Sequence, residues 1–177
     1  MPRPPLERSQ IYRAFAAAFR SPDGGADLFG PDVLPPPLPP ADAAVAFAAA
    51  FEPALDPGAA SLYGRSYLKR EQADLFEELV RWYSFFELKR AGSAELPDHV
   101  AVELDFLQFL TWREDAALQA GEDVADLRRA ERDFIQRHLV PIAGGLSSAL
   151  ADRHDRYAML PRRLAEFLAE ELDDLKA

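Results

Sequence analysis

The segment from Pro97 to Glu103 holds the residues whose types and spacing could carry chemistry. Asp98 and His99 are adjacent, and Glu103 follows His99 by four residues, about one turn of a helix. In a helix, these imidazole and carboxylate groups would lie close enough to bind one metal ion or to transfer a proton. Pairs at this spacing are also common without any function, so we favour a structural pairing of His99 with Glu103 at a helix start near Pro97. Recognition of a partner protein is the remaining interpretation.

Signatures of other catalytic classes are missing from the sequence. It contains no GxxxxGK, GxGxxG, HExxH or GxSxG motif, and it has no cysteine. The other two histidines, His138 and His154, stand apart in the sequence. These absences disfavour phosphate-loop, dinucleotide-binding, zinc-protease and thiolate chemistry. A small metal- or nucleotide-dependent hydrolase that uses Asp98, His99 and Glu103 stays open as an alternative.

Helical periodicity describes nearly all of the apolar residues, whereas strand patterns are nearly absent. The spacing predicts helices over residues 7–19, 41–55, 71–90, 97–120 and 161–175, and another that starts near 123 and is bent or broken at Pro141. Residues 21–40 are rich in proline, which disfavours both helix and sheet. We therefore predict an all-α fold, a single-domain helical bundle over residues 1–177 with a Pro-rich internal connection at about 21–40.

The predicted helix over residues 71–90 has one apolar face and one exception to it. At 100° per residue, its large apolar residues share an arc of about 160° that we assign to the core. These residues are Leu75, Phe76, Leu79, Val80, Trp82, Tyr83 and Phe86. Phe85 instead falls on the polar side, near Asp74 and Glu78. We expect a neighbouring helix or loop to cover it, the alternative being a hydrophobic binding wall edged by acidic residues.

The predicted central helix mixes polar groups into an apolar face. Its residues His99, Glu103, Phe106, Leu110 and Glu114 lie within about 80° of one another. Because a buried carboxylate without a partner is destabilising, these acids must either be paired internally or line a groove that receives another chain.

Composition limits the classes of partner. The chain has 20 basic and 30 acidic residues, a net charge of −10, which disfavours nucleic acid and anionic lipid as partners. Its apolar runs are too short for a signal peptide or a membrane span. The absence of cysteine suits a reducing compartment. We expect a cytoplasmic protein with no stable membrane insertion.

Three stretches in this order carry a resemblance to a known family. They are WYSFFEL at residues 82–88, LPDH followed by ELDFL within residues 96–107, and FIQRHL at residues 134–139. Over roughly residues 62–150, the chain resembles the TorD/DmsD/NarJ-like chaperones that mature molybdoenzymes. The branch that serves type II dimethyl-sulfoxide-reductase-family enzymes is the most similar. The chain departs from the family near Ile142, where a tryptophan is common, and at Gly144 and Gly145.

This resemblance implies a TorD-like bundle and a non-enzymatic chaperone with no cofactor or metal of its own. Its partner would be the catalytic subunit of a molybdopterin oxidoreductase, bound as apo-protein and through its leader peptide. The chaperone would assist molybdenum-cofactor insertion, delay twin-arginine export, and act as a monomer or a domain-swapped dimer. The resemblance places the partner-binding residues at Phe76, Trp82, Tyr83, Phe86, Pro97, Asp98, His99 and Glu103, to which the helical patterns add Phe85 and Phe106. A helical scaffold module without a groove is a further alternative.

Overall fold

The computed structural model describes residues 3–24, 38–88 and 95–176, and within these ranges the chain is helical. The helices are α1 (Pro5–Arg20), α2 (Pro40–Phe51), α3 (Gln72–Phe85), α4 (Val100–Gln119), α5 (Ala125–Phe134), α6 (Val140–Ala149) and α7 (Arg156–Asp174). The β-type pairing in the described ranges is an isolated bridge between Tyr63 and His99. The all-α prediction is confirmed. Most of the predicted Pro-rich connection, residues 25–37, lies outside the described ranges, as do residues 89 and 90 of the third predicted helix.

Helices α1 and α4 pack along each other and form the centre of the structure. Helix α1 begins at Pro5, where the missing N–H of proline has no consequence because first-turn N–H groups lack helical partners. It buries Phe15 and Phe19, and α4 buries Leu104 and Leu107. Helix α7 packs on α1, α2 and α6, which closes the core on the remaining side. In the described ranges, no helix is both long enough and apolar enough to cross a membrane.

Helix α4 starts three residues later than the sequence predicts. Its N-cap is His99, whose Nδ1 accepts a hydrogen bond from the backbone N–H of Ala101 at 3.1 Å. Pro97 and Asp98 lie in the preceding turn, because the backbone there pairs with the segment that contains Gly64. The end of α4 is as predicted, since Gly121 adopts a left-handed φ of 73° just beyond it.

Helix α3 is shorter and less deeply buried than predicted. It ends at Phe85, and Glu87 has a φ of 61°, which a helix cannot continue through. Of the predicted core arc, Leu75, Leu79 and Tyr83 are buried, whereas Val80 is 44% exposed. The prediction was wrong for Val80 because α3 lies at the outside of the bundle and contacts it through a narrow stripe.

The helix predicted to bend or break near Pro141 consists of two α-helices, α5 and α6, as expected. Helices α5 and α6 are joined without interruption by a π-helical turn, Ile135–Leu139, which fits one additional residue into the turn. Pro141 follows at the start of α6, directly after the π-helical turn. The wide turn brings Ile135, His138 and Leu139 to full burial.

The start predicted for the last helix was wrong. Helix α7 begins at Arg156 because Asp155 caps it, accepting hydrogen bonds from the backbone N–H groups of Tyr157 and Ala158. Pro161 therefore lies inside the helix rather than at its first position.

A buried ion network ties α1 to three other helices. Arg8 of α1 donates hydrogen bonds to Glu114 of α4, Glu131 of α5 and Glu171 of α7. The Tyr12 hydroxyl donates to Glu171 at 3.1 Å. Because the Arg8 side chain is only 4% exposed, its charge depends on these carboxylates. Glu114 is therefore paired internally, which is one of the two arrangements predicted for the polar groups of α4.

Gly145, one of the two glycines at which the chain departs from the family, is required for packing. A Cβ atom there would lie 2.2 Å from Cδ1 of the Tyr67 ring, whereas a Cβ at Gly144 would meet nothing within 4 Å. We expect Gly145→Ala to lower the free energy of unfolding by about 1–3 kcal/mol through overpacking. Gly144→Ala, the matched control, should raise it by roughly 0.5–1 kcal/mol through reduced backbone entropy of the unfolded chain. Urea denaturation of both variants measures this; equal effects would contradict the packing role.

The Arg8 network also predicts a pH dependence of stability. Burial and repulsion from the carboxylates of Glu114 and Glu171 together raise the pKa of Glu131 from 4.5 to about 8. The folded state then keeps a proton that the unfolded state releases, so the free energy of unfolding falls as pH rises from 4.5 towards about 8. Glu131→Gln still accepts from Arg8 but cannot ionise. Urea titrations at several pH values should show a flatter pH dependence for Glu131→Gln than for exposed Glu122→Gln, and identical slopes would refute the assignment.

Candidate functional site

Phe85 is the most exposed aromatic side chain in the described ranges, at 80%. It follows Trp82 on α3 and packs edge-to-face with Phe86 at 5.0 Å between ring centroids. The expectation that a neighbouring helix or loop covers Phe85 is therefore wrong for the described part of the chain. The arrangement matches the alternative, a hydrophobic wall on the outer face of α3.

This wall borders a groove of about 710 Å³, which we call the α3 groove. Its lining combines two aromatic residues with three acidic and three basic ones. These residues are Trp82, Phe85, Asp74, Glu77, Glu78, Arg70, Arg81 and Arg137. The sequence places Asp74 and Glu78 on the polar side of the helix, but it gives no sign of Arg70 and Arg137, which reach the groove from outside α3.

Aromatic rings form the layer beneath the groove. Phe106 of α4 makes edge contacts with Trp82, Tyr83, Phe86 and Phe134, at centroid distances between 4.7 and 6.2 Å. Phe106 itself is 2% exposed. Such aromatic pairs contribute about 0.5–1.5 kcal/mol each beyond their buried area. The layer therefore gives the groove a rigid floor.

The segment before α4 is fixed by three hydrogen bonds, two with the segment 62–64 and one with α3. The Gly64 N–H donates to the Asp98 carbonyl at 2.7 Å, and the Val100 N–H donates to the Leu62 carbonyl at 2.9 Å. The Tyr83 hydroxyl donates to the Pro97 carbonyl at 2.8 Å. This segment thus joins α3, α4 and the turn around Gly64.

The three candidate catalytic side chains do not converge. The Asp98 carboxylate accepts from the Arg65 guanidinium at 3.0 Å and from the Arg65 backbone N–H at 3.1 Å. His99 uses its Nδ1 to accept from the backbone, as described above, and burial lowers its pKa, so the imidazole is neutral. Both carboxylate oxygens of Glu103 are buried without a hydrogen-bond partner. Burial and the neighbouring Asp98 raise the pKa of Glu103 well above its usual value, so this carboxyl keeps its proton.

The predicted pairing of His99 with Glu103 is therefore wrong, because neither carboxylate oxygen of Glu103 has a hydrogen-bond partner. Within the described residues, no three His, Asp or Glu side chains are placed to hold a metal ion. The arrangement has a structural consequence instead. Asp98 and Arg65 hold the turn, and Arg65 also lies 4.3 Å from the Tyr63 ring centroid.

The ten predicted partner-binding residues fall into two groups. Phe76, Trp82, Phe85 and Phe86 are exposed or partly buried, and two of them, Trp82 and Phe85, line the α3 groove. Tyr83, Pro97, Asp98, His99, Glu103 and Phe106 are buried. The residues of the first group can thus contact a partner directly. The buried residues of the second group hold the first group in position. His99 also borders a smaller cavity of about 330 Å³ between α1, α2 and Tyr63.

Comparison with known proteins identifies the class. Residues 36–147 match the family model described as nitrate reductase delta subunit. The selenate reductase assembly chaperone protein of Thauera selenatis is 33% identical over 161 residues, which is 89% of this chain and 83% of that protein. The chlorate reductase assembly chaperone protein of Ideonella dechloratans is 34% identical over 110 residues, 61% of this chain and 57% of that protein. The perchlorate reductase assembly chaperone protein of Dechloromonas aromatica is 34% identical over 96 residues, 53% of this chain and 43% of that protein.

The chain belongs to this family, the TorD/NarJ-like chaperones of molybdoenzyme maturation. It is thus a maturation chaperone and not an enzyme, since its relatives carry the names of assembly chaperones. The hydrolase alternative built on Asp98, His99 and Glu103 is excluded by these relatives.

Proposed function

We propose that this chaperone binds the catalytic subunit of a molybdopterin oxidoreductase in its apo form, and that the α3 groove receives the subunit's N-terminal leader. It acts in the cytoplasm, assists insertion of the molybdenum cofactor and holds back twin-arginine export until the cofactor is in place. The names of the selenate, chlorate and perchlorate reductase chaperones support an oxidoreductase as the client. We choose this site because Phe85 is 80% exposed and lines a groove.

Apolar contact provides the affinity in this proposal. Burial of one exposed phenylalanine stabilises a complex by about 1.5–3 kcal/mol, and the rigid aromatic floor limits the entropy lost on binding. An amphipathic helix that lays its apolar face over Phe85 and Trp82 is the kind of ligand that such a groove fits.

Charge provides selectivity in this proposal. The leader of a twin-arginine substrate is basic, and the net charge of −10 favours approach of a basic segment. Asp74, Glu77 and Glu78 lie along the groove, while Arg70 and Arg81 pair with the two glutamates. A basic client segment would take the place of these arginines beside the glutamates. Salt weakens such interactions between surface charges, so affinity should fall as ionic strength rises.

The buried polar residues have a supporting role in this account. Asp98, His99 and Tyr83 fix the segment that leads into α4, and α4 carries Phe106 under the groove. A helical scaffold without a groove is the less favoured alternative, because it would leave Phe85 covered by its own chain. We propose a monomer that forms a transient one-to-one complex; a domain-swapped dimer would be visible by size-exclusion chromatography.

The site can be tested by calorimetry with the leader peptide of the molybdoenzyme catalytic subunit encoded beside the gene of this chain. We expect Phe85→Ala to weaken binding about tenfold, since most of one phenylalanine's burial is lost. Raising the ionic strength from about 0.05 M to about 0.5 M should weaken binding further. The fold should be unaffected, because Phe85 is mostly exposed in the free protein.

Val45→Ala is the matched control, because Val45 is 72% exposed on α2, which contributes no residue to the α3 groove. It should leave affinity unchanged. Failure of the wild-type chain to bind either the leader or the apo-subunit would refute the proposed function. Equal weakening by the two substitutions would refute the α3 groove as the site.

A further inference from the structure

A buried histidine lies beneath the acidic edge of the α3 groove. His138 is fully buried in the π-helical turn, and its ring stacks on Phe134 at 4.7 Å between centroids. Its Nε2 lies 3.3 Å from Oε1 of Glu78, a groove residue of α3. The contact connects the groove to the aromatic layer below it.

His138 belongs to the π-helical turn and follows Phe134 by four residues. This spacing places the two side chains on the same side of a helical turn, where their rings stack. Single π turns are frequent at functional sites. The site is therefore built by α3 on one side and the π turn on the other.

Glu78 differs from the other two groove carboxylates in its surroundings. Its side chain is 22% exposed, against 62% for Glu77, so its charge is less screened by water. Arg70 donates to Oε2 of Glu78, while Oε1 has His138 at 3.3 Å and Arg137 at 4.0 Å. A carboxylate has about four acceptor positions, so Oε1 retains capacity for a further donor.

We propose that Glu78 recognises a guanidinium or ammonium group of the bound segment and that His138 is the positioning residue that holds its carboxylate in the groove. This inference rests on the proposed function, since it assigns the residue that selects a basic client segment. It adds roles for Glu78 and His138 that neither the resemblance nor the relatives' names assign.

The protonation state of His138 distinguishes a positioning role from simple packing. If His138 positions Glu78, binding should change when the imidazole gains a proton; if the ring only packs, it should not. Burial lowers the pKa of His138, so the ring is neutral at neutral pH and adds no positive charge beside Glu78. Although burial acts against it, hydrogen bonding from Arg70 keeps the pKa of Glu78 below its usual value. A protonated His138 would compete for the same carboxylate, so affinity for a basic segment should fall as pH falls.

The charged groups that act on the imidazole come from three places: Glu78 of α3, Arg70 before α3, and Arg137 of the π turn itself. Helix α4 packs Phe106 against Phe134 behind the ring. Helix α7 also contacts the turn, and its buried Glu171 is held by Arg8 and Tyr12.

Paired substitutions, one in the chaperone and one in the peptide, test whether Glu78 recognises a basic residue of the client. Wild type, Glu78→Gln and Glu77→Gln are titrated with the leader peptide described above and with versions in which each basic residue is replaced in turn by glutamine. Loss of one charge-assisted hydrogen bond should weaken binding of the unaltered peptide to Glu78→Gln about tenfold. One glutamine peptide should bind wild type and Glu78→Gln equally. Glu77→Gln, on the same wall, should discriminate among the peptides as wild type does.

The pH profile tests the positioning role. Because burial lowers the pKa of His138 from 6.5, wild type should lose affinity for the unaltered peptide between about pH 6.5 and about pH 5, and His138→Phe should lack this dependence while keeping the ring stack. If His138→Phe does not fold, the Glu78→Gln titrations at both pH values carry the test, because the charge competition needs Glu78. Leader binding by wild type with no difference between Glu78→Gln and Glu77→Gln overturns this inference alone. Absence of leader binding by wild type overturns the proposed function as well.

Discussion

The arrangement of the helices depends on the ion pairs that the buried guanidinium of Arg8 forms. A charge removed from water must be met by opposite charge, and Arg8 finds it on three different helices, at Glu114, Glu131 and Glu171. Loss of one partner from a buried pair typically costs about 3–5 kcal/mol. The network therefore sets the position of α5 relative to α1, α4 and α7. Because α5 runs directly into the π turn, it also sets where Phe134 and His138 lie under the α3 groove.

The buried and the accessible polar groups of the molecule have different surroundings. Deep inside, Arg8 is satisfied by an excess of carboxylates, and Glu131 holds a proton near neutral pH because its pKa is raised to about 8. Asp98 is tied to Arg65 in the turn before α4. At the surface, the groove keeps apolar area and charges of both signs accessible. This division suits a chaperone, which needs a firm frame and an open surface rather than a set of converging catalytic groups.

Local sequence patterns predicted much of the fold. The all-α class, the central α4 and its end at Gly121 follow from periodicity and from one glycine, which are short-range signals. The Arg8 network was not predictable in this way, since its partners lie 106, 123 and 163 residues away along the chain. In the site, Trp82 and Phe85 were predicted from their place on one helix. The contact of Glu78 with His138 was missed because the two residues lie on separate elements far apart in the sequence, and helical periodicity does not reveal such contacts.

The central claim is that the outer face of α3 receives the client. Amide hydrogen exchange on the chaperone, free and with the leader peptide, tests it most directly, because protection reports which backbone segments a ligand covers. The account predicts slower exchange in Gln72–Phe85 and Ile135–Leu139, with little change in Pro40–Phe51. Protection confined to Pro40–Phe51 and the His99 cavity, with α3 unchanged, would contradict it.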